Sequence, residues 1–188
     1  HRVDRRQRQM CIETEAETLD KAIADKIQEY RSSSGDIIVT LDTHAENYLE
    51  TQEGKNLPVI HCVRGTDGWK LFGETAKRIQ QTDRRFEKET FGSLALAEYL
   101  KEQSYERVEL VGVVTNICVI SNAVLAKAAL PNAQIIVDAV CTASNDNTMN
   151  EKALDVMEGI QIKVINGKAL AYHSCLLYTS DAADDLLC

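Results

Sequence analysis

The sequence lacks any surplus of positive charge: 21 lysines and arginines stand against 29 aspartates and glutamates, for a formal charge of −8 over 188 residues. A chain of that sign offers no basic stripe to neutralise a phosphate backbone, which excludes nucleic acid as a natural partner. No apolar run approaches the ~18 residues a bilayer-spanning helix needs, which argues against a membrane partner. Six cysteines stand at 11, 62, 118, 141, 175 and 188, without a Cys-x-x-Cys pair and without a compact framework. They read as reduced thiols of a cytoplasmic protein. There is no internal repeat and no low-complexity segment. The composition, 44% hydrophobic and 27% charged, is that of one ordered domain with a substantial core.

What is present is an alternation of helix and strand. Ala16, Leu19, Ile23, Ile27 and Tyr30 recur at helical spacing, Arg31-Ser-Ser-Ser-Gly35 breaks the pattern, and the apolar run Ile37–Leu41 follows as a strand. A long irregular segment to about Gly73 comes next, and long loops in compact domains are often functional. Then follow a polar helix around Glu74–Gln81, a short strand at Arg85–Glu87 and a helix after Ser93 carrying Leu96, Ala97 and Leu100. The rest reads as strand Arg107–Val114, helix Ile117 to about Leu130, strand Gln134–Ala139, a helix from about Asn150 to Gly159, and strand Gln161–Ile165. Repeated strands and helices with near-continuous apolar strands predict an α/β fold: a parallel sheet covered on both faces.

Both ends depart from that pattern. The chain opens on His1-Arg-Val-Asp-Arg-Arg-Gln-Arg-Gln9, which no core could bury, and closes on a stretch, residues 175–188, that reads as non-native tail. The expected domain is therefore residues 12–167, with an aberrant segment at 1–11.

Val111-Gly-Val-Val-Thr-Asn-Ile-Cys118 carries the chemistry. An apolar strand passes through a polar turn into a cysteine that opens a helix, where unpaired N–H groups and the positive dipole end favour a thiolate. Cys118 is the candidate nucleophile. The strand at 37–41 delivers Asp42-Thr-His44, whose two outer side chains point the same way. With Glu53 and His61 they make two histidines and two carboxylates, a borderline-hard donor set suited to zinc, manganese or iron. Such a group belongs at the C-terminal edge of a parallel sheet. In Phe86-Glu-Lys-Glu-Thr-Phe-Gly92, Lys88 leaves a strand next to the nucleophile strand and can stabilise the Cys118 thiolate. Tyr48, Glu46 and Glu50 read as solvated surface. Trp69 and Phe91 are candidates to line a pocket for a flat ring.

With G-V-V-T-N-I-C, D-x-H, E-G-x-x-L-P-x-x-H-C and F-x-K-x-x-F-G-S in this order, the chain resembles the nicotinamidase and isochorismatase-like cysteine hydrolases over about Ala16 to Asn166. The metal-binding, nicotinamidase-like amidase branch is closer than the isochorismatases, which lack the metal ligands. The resemblance implies a three-layer αβα, Rossmann-like fold with a six-stranded parallel sheet of order 3-2-1-4-5-6 and a Cys-Lys-Asp catalytic set. It also implies that Cys118 is the nucleophile, Lys88 the catalytic lysine, and Asp42, His44, Glu53 and His61 the ligands of a divalent metal, zinc first with manganese or iron as alternatives. It implies a cis peptide at Val113–Val114, an oxyanion hole from the backbone N–H groups of Val114 and Cys118, a small amide as substrate and, by analogy, a homo-oligomer. Asn116 stands where many members have aspartate. The family's catalytic aspartate ends an apolar first strand that would fall at or before residue 1; Asp4 lies among arginines and does not take that role. The first strand is therefore expected to be missing and turnover to be weak or absent.

The implied reaction is hydrolysis of an amide such as nicotinamide to acid and ammonia through a thioester. Two alternatives stay open: another small amide or carbamate as substrate, or a catalytically dead metal-binding relative.

Overall fold

The computed structural model describes residues 19–167. The expectations for residues 1–11, Asp4 and residues 175–188 lie outside them. The apolar run that begins at Ile37 forms strand β1 (Ile38–Asp42), and β2 (Arg84–Lys88) pairs parallel to it, with Leu41 opposite Glu87 and Asp42 opposite Lys88. A second parallel ladder runs β3 (Arg107–Val113), β4 (Gln134–Ala143), β5 (Lys163–Ile165), in that order. Helix α1 covers residues 19–32, and α2 (Gln52–Asn56), α3 (Gly73–Arg78), α4 (Leu94–Gln103), α5 (Ile120–Ala129) and α6 (Asn147–Gly159) follow. The chain is an α/β fold of parallel strands flanked by helices. Its described strands form two ladders, β1-β2 and β3-β4-β5. No pairing joins β1 to β3 among the described residues.

Ile135, Ile136 and Val137 of β4 are successive and all buried, so this strand is covered on both faces, as its unbroken apolar run requires. Leu96 and Leu100 of α4, Ala123 and Ala126 of α5 and Met157 of α6 pack with Val119, Ile135, Val137 and Ile162 into one core. The helix starts are set by local chemistry: Ser93 Oγ accepts from Leu96 N at the head of α4, and Asp146 accepts from Thr148 N and Met149 N at the head of α6. Helix α1 is held to the second ladder by charge. Lys26 Nζ lies 3.2 Å from Glu109 Oε1 and 3.0 Å from Asp138 Oδ2, and the Tyr30 hydroxyl donates to Glu109 at 2.6 Å. Burial, with the Glu109 carboxylate beside it, pushes the Tyr30 phenol up to about 12.

Several boundaries differ from the sequence expectation. The irregular segment contains the short helix α2. A π turn, Thr115–Val119, precedes α5, which therefore begins at Ile120. Strand β4 runs on to Ala143 because the ladder changes register, from Leu110 opposite Val137 to Gly112 opposite Thr142. Gly112 sits at φ +117, a conformation closed to most side chains, and so carries that irregularity. Helix α6 starts at Asn147 because Asp146 supplies the cap. Among the described residues, no helix is long and apolar enough to cross a membrane.

Candidate active site and metal centre

Strands β1 and β2 end together, with Asp42 opposite Lys88 and their side chains in contact. Thr43 N donates to Lys88 O at 2.9 Å, carrying the chain past the ladder. The 57–64 segment then folds back along it: His44 N donates to Cys62 O at 3.0 Å and Arg64 N to His44 O at 2.9 Å, forming a single parallel bridge between His44 and Val63. That bridge brings His61 to the Asp42-Thr-His44 turn although it follows His44 by 17 positions in sequence.

Asp42, His44 and His61 present ligand atoms within 4.8 Å of one another. Asp42 Oδ2 lies 3.3 Å from His44 Nε2 and 3.5 Å from His61 Nε2; Glu53 Oε1 stands 3.8 and 4.0 Å from the same two nitrogens. Two ligands each about 2.1 Å from a tetrahedral ion stand about 3.4 Å apart, so these spacings suit one small cation. The histidine chemistry agrees. His61 Nδ1 is 2.7 Å from the Val59 carbonyl, an acceptor, which assigns the proton to Nδ1 and leaves the Nε2 lone pair facing the carboxylates. His44 is 5% exposed and its Nε2 has no hydrogen-bond partner, a buried polar atom left open toward that same point. The residues present fit a divalent ion.

Tyr48, which the sequence reading placed on the solvated surface, is fully buried. It opens a 3-10 turn (Tyr48–Glu50), its hydroxyl donates to Leu57 O at 3.0 Å, and its ring stands 4.6 Å from the His44 ring and 4.9 Å from that of His61. It walls the histidine pair. Burial raises its phenol, and the Glu53 and Asp42 charges add to that. Glu46 and Glu50 are exposed, as read. Behind Tyr48, Gly54 sits in α2 so close to the Tyr48 carbonyl and the Leu49 Cα that a Cβ would overlap both. The Thr51 side chain caps this helix, accepting from Gly54 N at 3.0 Å, and so aims Glu53 inward.

The thiol lies on the other side of Asp42. Lys88 is 6% exposed, and its Nζ donates to Asp42 Oδ1 at 3.1 Å and to Cys118 Sγ at 3.4 Å. The half-buried Cys118 is held in the π turn, where Ile117 N and Val119 N both donate to Val114 O, and the Val113–Val114 peptide is cis. Asn116 Oδ1 accepts from the Ser144 hydroxyl at 2.6 Å, so the amide that replaces the common aspartate is tied to the chain that leads into α6. Of the other described thiols, burial pushes Cys141 up to about 11 and raises Cys62, with the Asp42 charge next in effect at Cys62. Trp69 is anchored by its indole N–H, which donates to Thr43 Oγ1 at 2.8 Å, between Asp42 and His44; Phe91 is 42% exposed.

A parallel α/β fold thus carries a thiol, an ammonium and a two-histidine, two-carboxylate cluster at its strand ends, the setting of a hydrolase. The chain belongs to the isochorismatase family: the isochorismatase domain model matches residues 6–168. Comparison with curated proteins gives no match. Among solved structures it is similar to the pyrazinamidase/nicotinamidase of Streptococcus mutans, at 26% identity and TM-score 0.70, over 80% of this chain and 86% of that one. The nicotinamidase/pyrazinamidase of Bacillus subtilis gives 23% identity and TM-score 0.70, over 79% and 85%. The pyrazinamidase of Pyrococcus horikoshii, solved in complex with zinc, gives 21% and 0.71, over 80% and 86%.

Proposed function

We propose that the chain hydrolyses a small aromatic amide of the nicotinamide type, with Cys118 as nucleophile, Lys88 as its proton partner and Asp42, His44, His61 and Glu53 as ligands of a divalent ion. The observation that carries the reading is the Cys118–Lys88–Asp42 contact chain, which joins a thiol to a metal-type donor set through one buried ammonium. An ion held there, zinc first and manganese or iron as alternatives, supplies a Lewis-acidic anchor for a ring nitrogen or other polar group of the substrate. Trp69 and Phe91 lie on the loops beside these groups and suit a flat ring.

The thiolate of Cys118 adds its electron pair to the amide carbonyl carbon, and the C=O π pair moves to oxygen, where the Val114 and Cys118 backbone N–H groups receive the charge. Collapse restores the carbonyl and breaks the C–N bond. Lys88, the ammonium in contact with the sulfur, gives its proton to the departing nitrogen, which leaves as ammonia. Water then attacks the thioester and passes its proton back to Lys88, while the C–S bond breaks and the thiolate returns. The buried ammonium stabilises the sulfur's charge in every resting interval of this cycle.

The test is ammonia release from nicotinamide, pyrazinamide and an N-carbamoyl amine, by the chain and by its Cys118→Ala variant. Release from the aromatic amides that disappears in Cys118→Ala supports the reading. Turnover that survives the substitution, or metal binding with no turnover of any of the three, rejects it.

A further inference from the structure

We infer that Asn122 is the positioning residue that sets the Cys118 sulfur against the Lys88 ammonium; the inference rests on the cysteine-hydrolase reading and deepens it. Asn122 lies in α5, one helical turn beyond Cys118, on a helix whose interior polar residues would ordinarily face solvent. It is instead 4% exposed. Its Nδ2 donates to Cys118 O at 2.8 Å and to Phe91 O at 3.1 Å, and its Oδ1 accepts from Ser93 N at 3.0 Å. Phe91 and Ser93 follow Lys88 by three and five residues, and Ser93 heads α4. One buried amide therefore bonds the backbone that carries the thiol and the backbone that carries the ammonium, with both donors and the acceptor in use.

A second contact on the same face tightens the join. Gly92, between the two bonded residues, leaves so little room that an added Cβ would come within 2.8 Å of Leu125 Cδ1 and 3.6 Å of Ser121 Cβ, both on α5. The segment after β2 thus lies flat on α5, and Asn122 fixes its sliding position. No other side-chain type supplies two donors and one acceptor at this reach except glutamine, which is one methylene longer. An aspartate would set a carboxylate against two carbonyl oxygens. A serine could still bond back to the Cys118 carbonyl, as hydroxyls do one turn along a helix, but it would not span to Phe91 and Ser93. Asn122→Ser therefore cuts the bridge while keeping the local bond.

The experiment uses the full chain with Asn122→Asp, Asn122→Ser, Lys88→Ala and the double variant Lys88→Ala/Asn122→Ser. The probes are iodoacetamide at pH 7, read as the alkylation rate of the Cys118 peptide by mass spectrometry, bound metal per chain, and kcat and KM on nicotinamide. We expect alkylation and kcat to fall roughly tenfold in Asn122→Ser, the consequence of losing about one buried hydrogen-bonded link. KM is expected to stay within about twofold and bound metal to stay unchanged. In the Lys88→Ala background the serine substitution should add little, because a residue acting through Lys88 has nothing left to position. Wild-type alkylation in folded Asn122→Ser, or a full further loss in the double variant, overturns the inference. Should Asn122→Asp fail to fold, the serine variant decides alone. Absence of ammonia release by the wild-type chain would instead reject the amidase reading, while the alkylation cycle would still judge Asn122.

Discussion

Asp42 faces two ways, with Oδ1 3.1 Å from Lys88 Nζ and Oδ2 3.3 Å from His44 Nε2. One carboxylate is shared between the ammonium beside the thiol and the group that would hold the ion. The two halves of the site are therefore separable by mutation, and with opposite signs. Asp42→Asn should lower bound metal at least tenfold. It should leave Cys118 alkylation as fast or faster, because the lysine charge is no longer partly neutralised. Lys88→Ala should keep the metal and slow both alkylation and turnover, the latter by about 10²–10⁴. Metal analysis beside iodoacetamide kinetics on the two variants checks the split; loss of both properties in both variants would refute it.

Removal of the ion should have an optical signature. Trp69 is the sole tryptophan of the chain, and its indole N–H is bonded to Thr43, between Asp42 and His44. Dialysis against a chelator should abolish turnover and change the intrinsic emission; zinc or manganese should reverse both. His44→Ala should remove the reversal.

Tyr48 is predicted to be a stability residue with a functional consequence. Tyr48→Phe removes one of the two hydrogen bonds on the Leu57 carbonyl, which keeps Val59 N at 2.7 Å, and should cost about 1 kcal/mol in urea unfolding. Tyr48→Ala empties a fully buried ring site and should cost about 3–5 kcal/mol. Metal affinity should fall in the alanine variant, whose histidine rings lose their common wall, and hold in the phenylalanine one.

Acid should weaken the fold through Asp83 and Asp138. Burial alone would raise both carboxyls, but Arg31 at 2.8 Å on Asp83, and Asn166 and Lys26 on Asp138, hold them below the ordinary value. A depressed carboxyl stabilises the fold fully above its unfolded value of about 3.9 and loses that contribution as pH falls through its lower folded value. Unfolding free energy measured against pH should therefore be level from about pH 5 to 7 and drop below about pH 4. Asp83→Asn should flatten part of the drop. A curve that falls instead between pH 5 and 7 would contradict the assignment.

The thiols should label in a set order. At pH 8 the peptide bearing Cys118 should react with iodoacetamide well before those bearing Cys62 and Cys141, since both of the latter thiols are raised, Cys141 to about 11, and Cys141 is buried. Peptide mapping after partial alkylation reads this directly.

Much of this arrangement was legible in the residues, for reasons that can be named. The apolar run before Asp42 reads as a strand, which the structure leaves half-buried, and a strand end must deliver Asp42 and His44 to one side. The strands that lead to Lys88 and Cys118 are not neighbours, since among the described residues β2 pairs with β1 and β3 with β4, but both residues were legible as lying at the ends of parallel strands, which gather at one edge. Tyr48 was not, because its burial depends on α2 folding back over it, and a five-residue helix leaves little periodic trace. Asn122 was missed for a related reason: a polar residue in a helix gives no sign of whether its partners are water or two distant backbones. The π turn at Thr115–Val119 and the jump of register beside Gly112 leave no pattern in hydropathy, so the starts of α5 and the end of β4 were misjudged by a few residues. Asp146 caps α6 in the structure, but the first apolar residues of that helix come later and drew the boundary toward Asn150.

Gly54 has no side chain to offer the cluster, yet it governs how near Glu53 comes to the histidines, because the α2 backbone rests on the Tyr48 carbonyl with nothing between. A larger residue there would lever the short helix outward and withdraw the outermost oxygen of the cluster. The aperture would then favour a cation of greater ionic radius over a smaller one, so that a change of metal preference in this chain's descendants could begin at a position that never touches the ion.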